Sequence, residues 1–133
     1  MFSSHTSSER AHRIRAGAWA GVFGAAGVLH FVRPAIFDAL VPPDLPGSQR
    51  AWTYGSGVAE LAMSAALLST FARPDARPAV GVAGAALLAA VWPGNIKMAW
   101  DWRNKPMLPR AIAFARVPLQ VPMALSLLSL RRH

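Results

Sequence analysis

GVAGAALLAAV, residues 81–91, makes about three helical turns without one polar side chain. A helix of a soluble bundle keeps a polar face, with apolar residues at roughly three of every seven positions. This run has no such face, so the helix it builds must be surrounded by apolar material on every side. Working outward, it belongs to an apolar block at residues 79–100, and three similar blocks lie at 16–32, 51–72 and 111–130, divided by Pro, Arg and Asp. Seventeen to 22 residues of helix span about 26–33 Å, close to the hydrocarbon thickness of a bilayer. The expected fold is all-α: an integral membrane four-helix bundle with four transmembrane helices in one domain, residues 16–130.

Composition agrees. The chain has 133 residues, 53% of them hydrophobic and only 15% charged, away from the usual soluble balance. Its net charge of +8 sits in tails and connections that flank the apolar blocks. That is the pattern of membrane topology, so the expected partner is the lipid bilayer and no nucleic acid. With no cysteine, the chain cannot carry thiol–disulfide chemistry, thioether-attached haem or a thiolate-held iron–sulfur cluster. Residues 1–15 are expected to be a disordered basic tail and 131–133 a basic C-terminal tail. The basic stretch 10–15 ahead of an apolar run imitates a secretory signal. A signal core is usually only about 7–15 residues, so the first block is expected to be a retained helix.

Four spans place both termini on one side. That side carries Arg10, Arg13, Arg15, Arg73, Arg77, Arg131 and Arg132, against Arg33, Arg50, Arg103, Lys105 and Arg110 opposite. The bias predicts cytoplasmic termini. Trp52, Trp92, Trp100 and Trp102, with Tyr54, fall in the outer half and read as an interfacial belt. The connection after the first block contains Pro34, Pro42, Pro43 and Pro46. Between them, residues 35–41 are expected to form a short interfacial helix, with Ile36, Phe37 and Leu40 toward lipid, lying over the outer mouth as a lid.

A charge at bilayer depth costs roughly 2.5–3.5 kcal/mol on the insertion scale, so the polar residues inside the blocks need a reason to be there. His30, Glu60, Asn95, Arg116 and Gln120 fall in the outer half, and every block contributes at least one of them. Thr53, Gly57, Glu60 and Ser64 are spaced to share one helical stripe. The simplest expectation is that Glu60 and Arg116 face each other in the bundle, either as a functional pair or as a clasp that fixes register. Lys97 is expected to snorkel toward outer headgroups. Pro93, Pro118 and Pro122 free the carbonyls of Ala89, Phe114 and Pro118, which would open a small cavity beside the cluster. Gly17, Ala20, Gly21, Gly24 and Gly27 make a small-residue stripe for close packing, against another helix of the chain or a second copy. No spacing matches a metal site, a phosphate loop or a nucleophile triad.

The segments GVLHF (27–31), VPPDLPG (41–47), SGVAEL (56–61), VWPGNIKMA (91–99) and ARVPLQVP (115–122) together resemble the DoxX-like group of small four-helix bacterial membrane proteins. The resemblance spans all four blocks. It implies that His30, Glu60, Asn95, Arg116 and Gln120 stand at recurring positions of the group. It further implies a multi-pass protein of the bacterial cytoplasmic membrane associated with redox systems. The corresponding role is an accessory subunit that binds a quinone or small lipid beside an oxidoreductase partner protein, not a stand-alone enzyme. Without cysteine, any thiol chemistry would fall to that partner. Two alternatives stay open: a small proton-coupled carrier of the four-helix type, and a purely structural membrane protein. Either could be a homo-oligomer.

Overall fold

The computed structural model describes residues 2–132. Five α-helices follow in order: α1 Phe2–Val32, α2 Pro34–Asp38, α3 Gln49–Ser69, α4 Arg77–Asp101 and α5 Met107–Leu128. Single 3-10 turns, Pro74–Ala76 and Ser129–Arg131, precede α4 and follow α5. No strand occurs among the described residues.

Local chemistry sets several boundaries. A proline opens α2, where its missing N–H costs nothing. Gly47 takes φ of +85°, a left-handed turn that favours glycine, and delivers Ser48 as the cap of α3. The Ser48 hydroxyl accepts from the Ala51 amide at 3.0 Å.

At the N-terminus the structure corrects the expectation of a disordered tail, because α1 is continuous from Phe2. Its polar first half is held from a distance. Both carboxylate oxygens of Glu9 accept from the guanidinium of Arg77 at the start of α4, at 2.8 and 3.0 Å. His12, one turn on, is buried. A bidentate charged contact of this kind offsets part of the entropy lost on ordering.

The long helices associate as two pairs, α1 with α3 and α4 with α5, with thinner contact between the pairs. Glycine makes each pairing possible. A Cβ on Gly57 would lie 2.8 Å from both His30 Cβ and Phe31 Cε2, and one on Gly27 would lie 2.8 Å from Leu61 Cγ. Ser64 donates to the Ala20 carbonyl at 2.7 Å across the same seam. The small-residue stripe of α1 therefore packs on α3 of its own chain. In the other pair Gly81 abuts the Leu127 carbonyl and Gly84 its methyl groups. Trp19, Phe23, Leu67, Leu88, Leu127 and Leu130 build the common core, and Trp19 donates to the Ser126 hydroxyl at 3.0 Å to tie α1 to α5.

The Glu9–Arg77 contact puts the start of α1 beside the start of α4, and a groove there is also lined by Arg132. Both chain ends thus share one end of the bundle, as expected. At the opposite end Lys97 of α4 donates to the Ala39 carbonyl of the α1–α3 connection at 2.9 Å.

Two stretches, Pro74–Asp101 and Met107–Arg131, are long and apolar enough to cross a membrane, where four were expected. In α1 and α3 the hydropathy is diluted by glycine, alanine and the inward polar residues His30, Thr53, Glu60 and Ser64. Their outward faces are still apolar. Val22, Val28, Leu29 and Phe31 on α1 are exposed, as are Val58, Leu61 and Leu68 on α3.

Candidate functional site

His30 closes the last turns of α1 and is buried. Its Nδ1 lies 2.6 Å from the Ala26 carbonyl, which can only accept, so the proton of that bond sits on Nδ1. The same nitrogen is 3.3 Å from Oε2 of Glu60 on α3. Glu60 is also buried, and Oε2 accepts no hydrogen bond among the described residues. Imidazole and carboxylate side by side can exist as an ion pair or, with one proton moved, as two neutral groups.

The connection between α1 and α3 covers this pair. Phe37 of α2 stacks on the His30 ring, with centroids 3.6 Å apart and planes inclined by 18°. Asp38 fixes the cover to α3, its carboxylate accepting from the Thr53 hydroxyl at 2.6 Å and from Arg50 Nε at 2.9 Å. The Thr53 hydroxyl, and then Arg50, hold the Asp38 carboxyl below its ordinary pKa, while Asp38 raises that of Arg50. Gln49 donates to the Val41 carbonyl at 2.6 Å and Trp52 to the Pro46 carbonyl at 2.7 Å.

The lid expected over this end is thus present, with a different orientation. Ile36 alone of the anticipated lipid-facing trio is exposed, since Phe37 turns to His30 and Leu40 packs near Gly94 of α4. Lys97, expected to snorkel toward the outer headgroups, reaches to the lid end of the bundle. It is shared between the Ala39 carbonyl and an ion pair with Asp101, because both acceptors lie within reach of its stem.

Asn95 on α4 and Gln120 on α5 are buried, and Gln120 Oε1 has no hydrogen-bond partner among the described residues. Each long helix therefore buries one of the anticipated polar side chains: His30, Glu60, Asn95 and Gln120. Arg116 is the exception. It is exposed, and its Nη1 reaches Met98 Sδ of α4 at 3.5 Å. The expected Glu60–Arg116 pair does not form, because α5 packs on α4 and α3 packs on α1. Ala113, Gln120 and Leu127 occupy the buried stripe of α5, and Arg116 leaves from its rim.

The described grooves do not include the proline-opened cavity expected beside the cluster. The two described grooves lie at the other end of the bundle, one around Glu9 and Arg77 and one around Trp19 and Ser126. Trp92 instead donates to the Val117 carbonyl at 2.9 Å, bridging α4 to the turn that contains Pro118. No group of three or more His, Cys, Asp or Glu side chains able to hold a metal ion occurs among the described residues.

Sequence reasoning missed Phe37 and Asp38 as parts of the site. The available signal was Asp38 itself, a lone carboxylate in an otherwise apolar segment placed directly after Pro34.

Fold and site define an all-helical protein of two pairs of long helices, each helix burying one of these polar side chains, with a short helix covering the His30–Glu60 pair. Residues 19–131 match the family described as a domain of unknown function (DUF8561), and the chain belongs to that family. The matched range includes His30, Glu60, Asn95, Arg116 and Gln120. No curated protein and no solved structure matches the chain.

Proposed function

We propose that this is an integral protein of the bacterial cytoplasmic membrane that crosses it four times with both termini inside. Its covered polar cluster binds a quinone or small-lipid headgroup, as an accessory subunit of a membrane redox system. The observation that carries this reading is that each of the four long helices buries a polar side chain, and two of their acceptors, Glu60 Oε2 and Gln120 Oε1, accept no hydrogen bond among the described residues. A buried acceptor left unmet costs about 1–3 kcal/mol, so a ligand bringing hydroxyl donors gains what the protein forgoes. The two hydroxyls of a reduced quinone have that chemistry, and the His30–Glu60 pair can hold a proton that such a headgroup gives up.

The membrane reading draws on the exposed faces. Only 28% and 17% of the apolar windows in the two most hydrophobic stretches are buried, whereas the core helix of a soluble protein is mostly buried. The redox association draws on the DoxX-like motifs, four of whose five polar positions are buried here.

The test is purification from native membranes in mild detergent, with extraction of bound lipid. Wild-type protein should retain quinone above its bulk membrane share, and Glu60→Gln or Gln120→Leu should lose it. No enrichment over bulk lipid would remove the quinone proposal.

One observation favours a proton-coupled carrier as the second reading. Glu60 is paired with a titratable histidine, not with a permanently charged arginine, so it can release and regain a proton. Proton-coupled flux of a cationic substrate in proteoliposomes, abolished by Glu60→Gln, would place the protein there.

A further inference from the structure

A second group of polar residues lies at the end of the bundle away from the lid. A groove of about 790 Å³ runs between the first turns of α1, the start of α4 and the chain beyond α5. Glu9, Arg10, His12 and Arg13 line it from α1, with Arg77 and Arg132 opposite. Four arginines from three parts of the chain therefore line a groove that holds one carboxylate.

That carboxylate is already neutralised. Glu9 is bound through both oxygens to Arg77, whose hydrogen bond holds it below its ordinary pKa and keeps it charged. Among the described residues Arg10, Arg13 and Arg132 form no direct ion pair, although Arg13 is near enough to help lower the Glu9 pKa. Arg77 is the buried wall of the groove, its side chain 8% exposed, and its Nε–H has no hydrogen-bond partner among the described residues. Arg13 lies over the Phe71 ring, 4.8 Å from its centroid, which holds its cationic head at the groove rim.

We propose that this groove binds a phosphate-bearing anion, and that its occupant is the phosphate of an anionic lipid headgroup. A phosphate diester presents two charged oxygens, which suit the planar fork of arginine better than a single-point acceptor does. The volume falls within the usual range for small-ligand sites, about 300–1,000 Å³. The choice of lipid rests on the membrane reading, in which residue 16 of α1 and residue 79 of α4 begin the apolar blocks and the groove sits at headgroup depth. The anion chemistry rests on the groove alone.

The test uses the full chain purified in neutral detergent, with retained lipid read by native mass spectrometry after adding phosphatidylglycerol or phosphatidylcholine. Wild-type protein should prefer phosphatidylglycerol. The triple variant Arg10→Gln, Arg13→Gln, Arg132→Gln should lose about fivefold in affinity per arginine, and the preference should weaken with salt. The triple variant Arg103→Gln, Lys105→Gln, Arg110→Gln at the other end removes the same charge and should change nothing. Glu9→Gln, which releases the Arg77 fork, should tighten binding.

Displacement of the lipid by millimolar inorganic phosphate would assign the groove to a free phosphate and overturn the lipid as its occupant. Equal losses in the two triple variants, or no preference in wild type, would overturn the site. Carbonate washing of membranes tests the membrane reading separately. Protein released by the wash would sink that reading, while phosphate binding in detergent would still report on the groove.

Discussion

His30 takes the place beside Glu60 that the sequence suggested for Arg116, and the two cases differ at the level of single side chains. An arginine partner would hold Glu60 permanently ionised, whereas a histidine lets the pair exchange its proton. Breaking a buried pair from one side leaves a polar group stranded, at a cost of about 3–5 kcal/mol, while an apolar double replacement is far milder. Thermal unfolding in detergent should therefore give a non-additive cycle for His30→Phe and Glu60→Met, with a coupling of about 1–3 kcal/mol. The cycle for Glu60→Met and Arg116→Leu should be additive to within about 0.5 kcal/mol, because Glu60 lies against His30 and Arg116 against Met98. Coupling in the second cycle and none in the first would overturn the assignment.

Asp38 belongs to the same scale. Its folded pKa is depressed below 3.8, first by the Thr53 hydroxyl and then by Arg50. The stability it contributes is thus fully present above its unfolded value and is lost as pH falls through the folded one. Hydrogen exchange of residues 33–48 should stay slow at neutral pH and accelerate in acid below about pH 4. Asp38→Asn should be fast already at neutral pH. An identical acid profile in Asp38→Asn and wild type would show that this carboxylate does not hold the lid.

Among the elements, the apolar blocks located three helices to within a few residues. Blocks 51–72, 79–100 and 111–130 correspond to Gln49–Ser69, Arg77–Asp101 and Met107–Leu128. Blocks of that length mark a helix whatever it packs against. Pairing was harder to read, since helix phase shows which side is polar but not which helix it meets. The extra turns at the start of α1 were illegible for a related reason: their anchor, Arg77, is 68 residues from Glu9.

Glycine marks the seam on which the site depends. Gly57→Ala would push a methyl against His30 Cβ and Phe31 Cε2, both at 2.8 Å, and should destabilise by about 1–3 kcal/mol. Gly21→Ala meets nothing within 4 Å and should be neutral or stabilising by about 0.5–1 kcal/mol. Thermal melts of the two variants side by side check the α1–α3 pairing. Equal effects would argue that the seam lies elsewhere.

For the whole molecule, charge and apolar surface are separated by level, with Arg116 the exposed exception among the apolar side chains of α5. The lid with Asp38, Arg50, Lys97 and Asp101 closes one end, and the arginine groove occupies the other. Between them, large apolar side chains remain exposed on all four long helices, including Val58, Ile96, Leu119 and Leu125. Water is a poor solvent for such a surface and hydrocarbon a good one.

The absence of cysteine makes the most direct test of the four-span account a clean one, since any introduced thiol is unique. Ser7→Cys and Asp75→Cys stand at the end with the termini, Asp44→Cys and Asn104→Cys at the lid end. With an impermeant maleimide on intact cells, the account predicts labelling at 44 and 104, and at 7 and 75 only after the membrane is opened. Labelling of all four positions alike in sealed membranes, or of 44 and 104 from opposite sides, would contradict it.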